Sequence, residues 1–371
     1  MTSAYWFVLI GLWGTAQGDQ AKKEAKWLPR QAIQGQYVGA QACAECHTDI
    51  YRKQIETGMS QALETGLSNR ILAIKSKLEF QSGPHTYQIS QNGKESTFSV
   101  TDGRETISET IIWSFGQGLS GQTFVFLHGG QYYESRVSFY TRIQGLDYTL
   151  GYSRKPAKSL TEALGNELHH SDAVNCIGCH TTAAVNGRQL YLERLVPGIQ
   201  CEACHGPGDK HVTAMKTRRP NGTQIFNPGK LSPEVLSQDF CGACHRSAQH
   251  VFEMPLRGDV SNVRFQPYRL FNSKCFSDDR RISCIGCHDP HDKLNSDPTF
   301  YDSRCQACHR TATAIANETH APAGGRRAAI CPVGKQQCTT CHMPKAALPG
   351  SHFEFTDHRI RIDRPGIPFP I

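Results

Sequence analysis

The stretch "CEACHGPGDKH", residues 201–211, contains two cysteines three positions apart, a histidine directly after the second, and a further histidine six residues later. The first five residues follow the pattern C-x-x-C-H, which occurs seven times in the chain. The seven sites, numbered in chain order, are Cys43–His47, Cys176–His180, Cys201–His205, Cys241–His245, Cys284–His288, Cys305–His309 and Cys338–His342. They use fourteen of the sixteen cysteines and seven of the seventeen histidines, so this repeat dominates the fold.

C-x-x-C-H is the attachment signature of a c-type haem. Two thiols one helical turn apart add to the two vinyl groups of one porphyrin, and the adjacent imidazole binds the iron. Zinc sites and disulfides are the alternatives, but neither requires a histidine after every cysteine pair. We therefore predict seven covalent haems. The predicted thioether residues are Cys43, Cys46, Cys176, Cys179, Cys201, Cys204, Cys241, Cys244, Cys284, Cys287, Cys305, Cys308, Cys338 and Cys341; the predicted proximal iron ligands are His47, His180, His205, His245, His288, His309 and His342.

The composition agrees with a core that contains porphyrin. Only 38 % of the 371 residues are hydrophobic, which is low for a chain of this length. The formal net charge of +7 excludes the two propionates that each haem carries and the residual positive charge of each ferric haem. With these included, the charge cancels in the oxidised protein and is negative in the reduced protein. The basic sequence is therefore no evidence for nucleic-acid binding, and we predict no nucleic-acid partner.

The N-terminus contains an apolar run from Ala4 to Trp13 that ends in small residues. This run is typical of a secretory signal peptide, although no Lys or Arg precedes it. We predict a signal peptide over 1–18, a polar linker over 19–36, and export to the periplasm. An uncleaved N-terminal anchor is the alternative.

The remaining chain divides by motif spacing. A first haem segment spans 37–77, and a six-haem core spans 153–345. Between them, 78–152 alternates polar and apolar residues around turn signals such as Gly129-Gly130, which predicts a small antiparallel β insert. A Pro-rich tail, 346–371, wraps over the surface. The predicted fold class is mainly α with long loops, a multihaem cytochrome fold around stacked haems.

A six-coordinate haem needs a second axial ligand, usually His or Met. The candidates outside the pentapeptides are Met59, His170, His211, His291, His320, His352 and His358. His211 and His291 follow their own proximal histidines too closely to reach across the same porphyrin, so a neighbouring haem is their predicted partner. His169 competes with His170, and Met59 is equally consistent with a core residue.

Two cysteines, Cys275 and Cys331, lie outside the repeats, each shortly before a haem site. In an oxidising compartment we predict a disulfide between them, with two free thiols as the alternative.

Several segments resemble multihaem c-type cytochromes of the cytochrome c-554 type: "YVGAQACAECH", "GIQCEACHGPGDKHV", "ISCIGCHDPHDKL", "CTTCHMPK" and "FTDHRIRI". That group is related to multihaem nitrite reductases and hydroxylamine oxidoreductases. The resemblance implies stacked and perpendicular haem pairs, and trailing histidines, here His211 and His291, that ligate another haem. C-x-x-C-K, the catalytic site of pentahaem nitrite reductases, does not occur in the sequence.

We therefore expect a periplasmic seven-haem electron carrier with no catalytic residue. Its expected partners are a redox donor and an acceptor, a membrane quinol-oxidising module among the candidate donors, with membrane association only through partners. The alternative is an oxidoreductase that acts on a small nitrogen or sulfur compound at one five-coordinate haem. Stacking into conductive assemblies is a third hypothesis.

Overall fold

The structure is a computed structural model, and it describes residues 29–30, 35–67, 69–218, 224–254, 260–277, 280–309, 331, 334 and 336–364. The predicted signal peptide and His320 lie outside these residues. In the described part, no helix combines the length and the apolar character that a membrane crossing requires; the helix His170–His180 has 11 residues.

A nine-stranded antiparallel sheet is the largest regular element. Its strands are β1 Leu63–Thr65, β2 Lys77–Ser82, β3 His85–Asn92, β4 Glu95–Thr101, β5 Thr106–Phe115, β6 Gln122–His128, β7 Gln131–Tyr140, β8 Gly145–Tyr148 and β9 Gly165–Glu167. The strands β2 to β8 neighbour one another in chain order, β1 pairs with β5, and β9 pairs with β7. Gly129 and Gly130, both with positive φ, form the two-residue turn between β6 and β7 that the sequence predicts.

The alternating apolar residues of these strands form their own core. Tyr87, Ile89, Phe98, Val100 and Phe126 are fully buried in it. The sheet curls until its outer strands meet: Phe80 of β2 packs edge-on against Tyr148 of β8, with ring centres 5.4 Å apart.

The predicted fold class, mainly α with a small β insert, is wrong. The sheet extends beyond the alternating segment, because β1 and β9 join it from the flanking chain. The haem-site segments contribute only short helices, because each C-x-x-C-H site requires a single helical turn and the chain between sites runs mostly as loops and 3-10 turns. A large β sheet beside a loop-rich haem region replaces the predicted helical fold.

The α-helices are α1 Ala40–Ala44, α2 Thr48–Gln54, α3 Arg70–Ile74, α4 Leu160–Leu164, α5 His170–His180, α6 Cys201–His205, α7 Asp209–Lys216, α8 Gly242–His245, α9 Ala248–Phe252, α10 Gln266–Phe271, α11 Lys274–Ser277, α12 Asp302–Gln306 and α13 Cys338–His342. A π-helical turn, Val235–Cys241, leads into α8. Short two-stranded pairs complete the fold: β10 Thr181–Thr182 with β13 Val196–Pro197, β11 Val185–Asn186 with β12 Gln189–Leu190, and β14 Lys345–Ala347 with β15 Glu354–Thr356.

The sheet packs directly against the second C-x-x-C-H site. Leu63 of β1 shares an apolar cluster with Val174 and Ile177 of α5, and Trp113 and Phe115 of β5 pack against it. The sheet thereby forms one wall beside α5, the helix that ends at the second site.

Candidate haem-binding sites

The C-x-x-C-H pentapeptides whose backbone hydrogen bonds the structure defines each fold into one helical turn. The backbone N–H of the histidine donates to the carbonyl of the first cysteine, at 2.8 Å in the first site and 2.9 Å in the fifth and sixth sites. Residues four apart on a helix lie on one face, so the first cysteine and the histidine point to the same side. This is the local geometry that attachment of one porphyrin requires.

Three of these histidines are held in the tautomer that binds metal. The Nδ1 atoms of His180, His205 and His342 donate to the carbonyl oxygens of Ala62, Phe226 and Arg361, each at 2.8 Å. A proton on Nδ1 leaves Nε2 with its lone pair free for a metal, and such a bond also fixes the ring orientation.

Burial keeps several of these rings neutral. It lowers the pKa of His180 and of His245, and it lowers the pKa of His358 to about 4. For His358 the neighbouring His288 adds to the effect of burial. A neutral imidazole is the form that ligates iron, so these environments fit the role of axial ligand.

Three pairs of histidine rings face each other across a gap. The ring centres are 6.4 Å apart for His47 and His211, 6.0 Å for His205 and His291, and 6.1 Å for His288 and His358. The angles between the ring planes are 18°, 9° and 42°. Each pair joins the histidine of one C-x-x-C-H site to a histidine outside the pentapeptides.

The separations match two imidazoles on opposite sides of one iron. Metal–imidazole bonds of about 2 Å place the two ring centres roughly 6.3 Å apart. The first, third and fifth sites therefore have the geometry of a haem with two histidine ligands.

The sites also contact one another through their cysteines. The thiols of four cysteine pairs from different sites lie close enough to shift each other's pKa: Cys43 with Cys201, Cys179 with Cys244, Cys241 with Cys284, and Cys305 with Cys338. Cys204 lies close to Cys241 and Cys244, and Cys287 lies close to Cys305. The fourth site thus neighbours the second, third and fifth sites, while the sixth and seventh continue from the fifth.

Family models match two parts of the chain. The model described as "Cytochrome c554 and c-prime" matches residues 147–206, and the model described as "Cytochrome c3" matches residues 276–349. The first match covers the second and third sites, and the other covers the fifth, sixth and seventh. Both matches support a multihaem c-type cytochrome. Covalently bound haem c is the cofactor of such proteins, and electron transfer is their general function.

The multihaem cytochrome is similar to the high-molecular-weight cytochrome c of Nitratidesulfovibrio vulgaris strain Hildenborough, with 24 % identity over 203 residues. That match spans 53 % of this chain and 29 % of the relative, so it covers less than a third of the relative's length. Among solved structures, the outer cell wall cytochrome OcwA aligns with a TM-score of 0.48 and 16 % identity, over 88 % of this chain and 79 % of that one.

Three buried carboxylates join neighbouring sites of the cytochrome, and the sequence analysis missed their role. Glu202 lies inside the third site and accepts hydrogen bonds from the backbone N–H groups of Val38 (2.9 Å), Gly39 (2.8 Å) and Gly208 (2.8 Å). Val38 and Gly39 precede the first site, and Gly208 begins the turn that leads to His211. One side chain therefore ties the segment that precedes the first site to the turn that leads to His211.

Asp302 plays the corresponding part between the sixth and seventh sites. It begins α12 of the sixth site and accepts hydrogen bonds from the backbone N–H groups of Gln337 (2.7 Å) and Cys338 (2.8 Å). The third carboxylate, Asp357, precedes His358. The only sequence signal for this role is a charged residue at a buried position. In a chain with many loops, the sequence does not show which positions are buried.

The remaining predicted ligands lie in other surroundings. His170 begins α5 and its Nε2 atom bonds the carbonyl of Arg188 at 2.9 Å, while its rival His169 lies 3.8 Å from Glu167. The Met59 carbonyl accepts from the N–H of Ile199 at 2.9 Å, which places that segment beside the third site. The roles of both remain predictions.

His352 lies against the sheet. Its Nε2 atom is 2.7 Å from Asp147 Oδ2, and its ring packs edge-on against Tyr140, with centres 4.9 Å apart. Arg154 also donates two bonds to Asp147, at 2.8 and 2.9 Å. Although burial alone would raise the pKa of Asp147, the bonds from Arg154 and His352 lower it.

Two other features complete the description of the sites. A small apolar hollow lies between the sheet and α5, lined by Trp113, Phe115, Tyr132 and Cys176 among others. Cys275 is partly buried and Cys331 is exposed, and their disulfide stays a prediction.

Proposed function

We propose that the chain is an electron carrier with seven c-type haems, one at each C-x-x-C-H site. The observation that carries this proposal is the facing of histidine rings at the spacing of a single iron. It assigns His211, His291 and His358 as distal ligands of the first, third and fifth haems.

The contacts between cysteines support a branched electron path. Because each porphyrin is bonded to its cysteines, cysteines in contact bring two porphyrin edges together. One arm leads from the first haem through the third to the fourth. The second haem forms another arm from the fourth, and the fifth, sixth and seventh haems form the last. Electrons that enter any arm then reach the others through the fourth haem.

The arms differ in how exposed their histidines are, and this difference suggests where redox partners dock. His180 is only partly exposed, whereas His47 and His309 are exposed. We infer that redox partners dock near the first and the sixth or seventh haems. Export rests on the covalent haem chemistry and on the apolar run at the N-terminus, with a quinol-oxidising module as one candidate donor.

The first experiment counts haems and tests the ligand pairs in the purified holoprotein. Mass spectrometry should find seven haems per chain, and a reductive titration should take up seven electrons. In oxidised protein, His211→Ala should convert one low-spin haem to high-spin by EPR, because the iron loses its distal nitrogen.

His128→Ala is the matched control, since His128 lies in the sheet and bonds Glu109 at 2.7 Å. It should leave every haem signal unchanged. Fewer than seven haems, or a His211→Ala spectrum identical to that of the wild type, would contradict the proposal.

Catalysis at an open haem is the second candidate function, and one observation directs attention to the second site. His170, the predicted ligand nearest that site, bonds a backbone carbonyl instead of facing His180. A high-spin ferric signal in the wild-type protein would favour a five-coordinate haem and an enzyme of small nitrogen or sulfur compounds. Seven low-spin signals would favour the carrier.

A further inference from the structure

A buried ion pair lies next to the distal ligand of the fifth site. Arg269 and Asp357 are both 0 % exposed, and the guanidinium binds the carboxylate through two bonds, from Nε at 2.7 Å and from Nη2 at 2.8 Å. The guanidinium of Arg361 contacts the same carboxylate, and the backbone N–H of Arg359 donates to it at 3.0 Å. Buried charges are stable only when paired in this way, so removal of the carboxylate would disturb every partner.

The first partner is the fifth haem site. The carbonyl of His358 accepts a hydrogen bond from Ser273 Oγ at 3.0 Å, and Ser273 lies two residues beyond the end of the helix that carries Arg269. Nδ1 of His358 donates to the Thr356 carbonyl at 3.0 Å, which leaves its Nε2 atom for the iron beside His288. The ion pair therefore fixes the backbone on which the distal imidazole is carried.

The second partner is the seventh haem site. The carbonyl of Arg361 accepts the Nδ1 proton of His342 at 2.8 Å, and the N–H of Arg361 donates to the His342 carbonyl at 3.1 Å. The Arg361 side chain in turn binds Asp357. One carboxylate is thus linked to the distal ligand of one haem and to the proximal ligand of another.

We propose that Asp357 is a positioning residue shared by two haems: it holds His358 over the fifth iron and, through Arg361, orients His342 at the seventh. The proposal rests on the proposed haem content of these sites and goes beyond it. It makes the spectra of two haems that belong to different sites depend on one acidic side chain.

The test uses Asp357→Asn in the full-length holoprotein. Asparagine keeps the shape but presents an NH₂ group to a guanidinium, so at least one of the paired bonds is lost. EPR of the oxidised protein should show altered signals for two haems of the seven. His358→Ala should alter one, since it removes only the ligand of the fifth iron.

Asp147→Asn is the matched control. Asp147 is likewise a buried carboxylate with two bonds from one arginine, but it lies in the sheet. It should cost stability without altering the signals of those two haems. A change in only the haem that His358→Ala affects, or in none, would overturn the proposal.

If Asp357→Asn does not yield a folded holoprotein, Arg361→Gln tests the proposal in its place. This variant keeps the backbone carbonyl but breaks the link to Asp357, so the seventh haem alone should change; an unchanged spectrum overturns the shared role. Failure of the haem assignment itself is distinguishable, because His358→Ala would then leave the wild-type spectrum intact.

Discussion

Replacement of Glu202 by Gln should lower the free energy of unfolding far more than the small change from a carboxylate to an amide suggests. The carboxylate is 2 % exposed and accepts three backbone hydrogen bonds of 2.8–2.9 Å, from Val38 and Gly208 at Oε1 and from Gly39 at Oε2. The amide can keep one oxygen toward Val38 and Gly208, but its NH₂ group must then face the N–H of Gly39.

The magnitude follows from the bonds that change. A hydrogen bond to a charged group contributes about 1.5–3 kcal/mol, and one to a neutral acceptor about 1 kcal/mol. Loss of one charge-assisted bond and weakening of the other two therefore costs at least about 2.5 kcal/mol. Removal of a buried negative charge should also raise the reduction potentials of the first and third haems.

The assay is urea unfolding of the oxidised holoprotein, followed by Soret absorbance and far-UV circular dichroism. Glu45→Gln is the matched control: Glu45 occupies the first C-x-x-C-H site, is exposed, and pairs with Lys216 at 3.0 Å. An exposed pair contributes less than about 1 kcal/mol. A Glu202→Gln loss no larger than that of Glu45→Gln would refute the argument that this carboxylate holds the two sites together.

Three further predictions concern packing and charge. Gly198→Ala should cost at least about 3 kcal/mol in urea unfolding, because φ is 71° and the new Cβ would lie 1.8 Å from a backbone oxygen; Gly93→Ala, with φ 61° and open space, should cost only about 1–2 kcal/mol. Because the pKa of Asp147 is lowered, the stabilisation that its ion pair gives the folded protein is present above about pH 4 and is lost as the pH falls further. Asp147→Asn should therefore flatten the loss of stability between about pH 5 and about pH 2. An unaltered pH profile would count against the ion pair. Asp302→Asn should cost at least about 2 kcal/mol, because one of two charge-assisted bonds to backbone N–H groups is lost and the other is weakened. Equal stability of variant and wild type would exclude this link between the sixth and seventh sites.

The fold was only partly readable from the sequence. The alternation around Gly129-Gly130 predicted antiparallel strands, since period-two alternation is a local property. The size of the sheet was not predictable. β1 and β9 have three residues each, and such short segments form strands only because β5 and β7 offer them backbone partners.

The positions of the seven C-x-x-C-H pentapeptides, and the haem attachment that they predict, follow from the sequence alone, because each pattern is five consecutive residues long. The sequence also restricts the distal ligands to a few histidines and Met59. Only the tertiary structure decides which histidine faces which iron. His211 meets His47, and His358 meets His288, across long stretches of chain that loops and buried carboxylates bring together. The same holds for Asp357: its place between two haem sites depends on contacts remote in sequence, which no local pattern encodes.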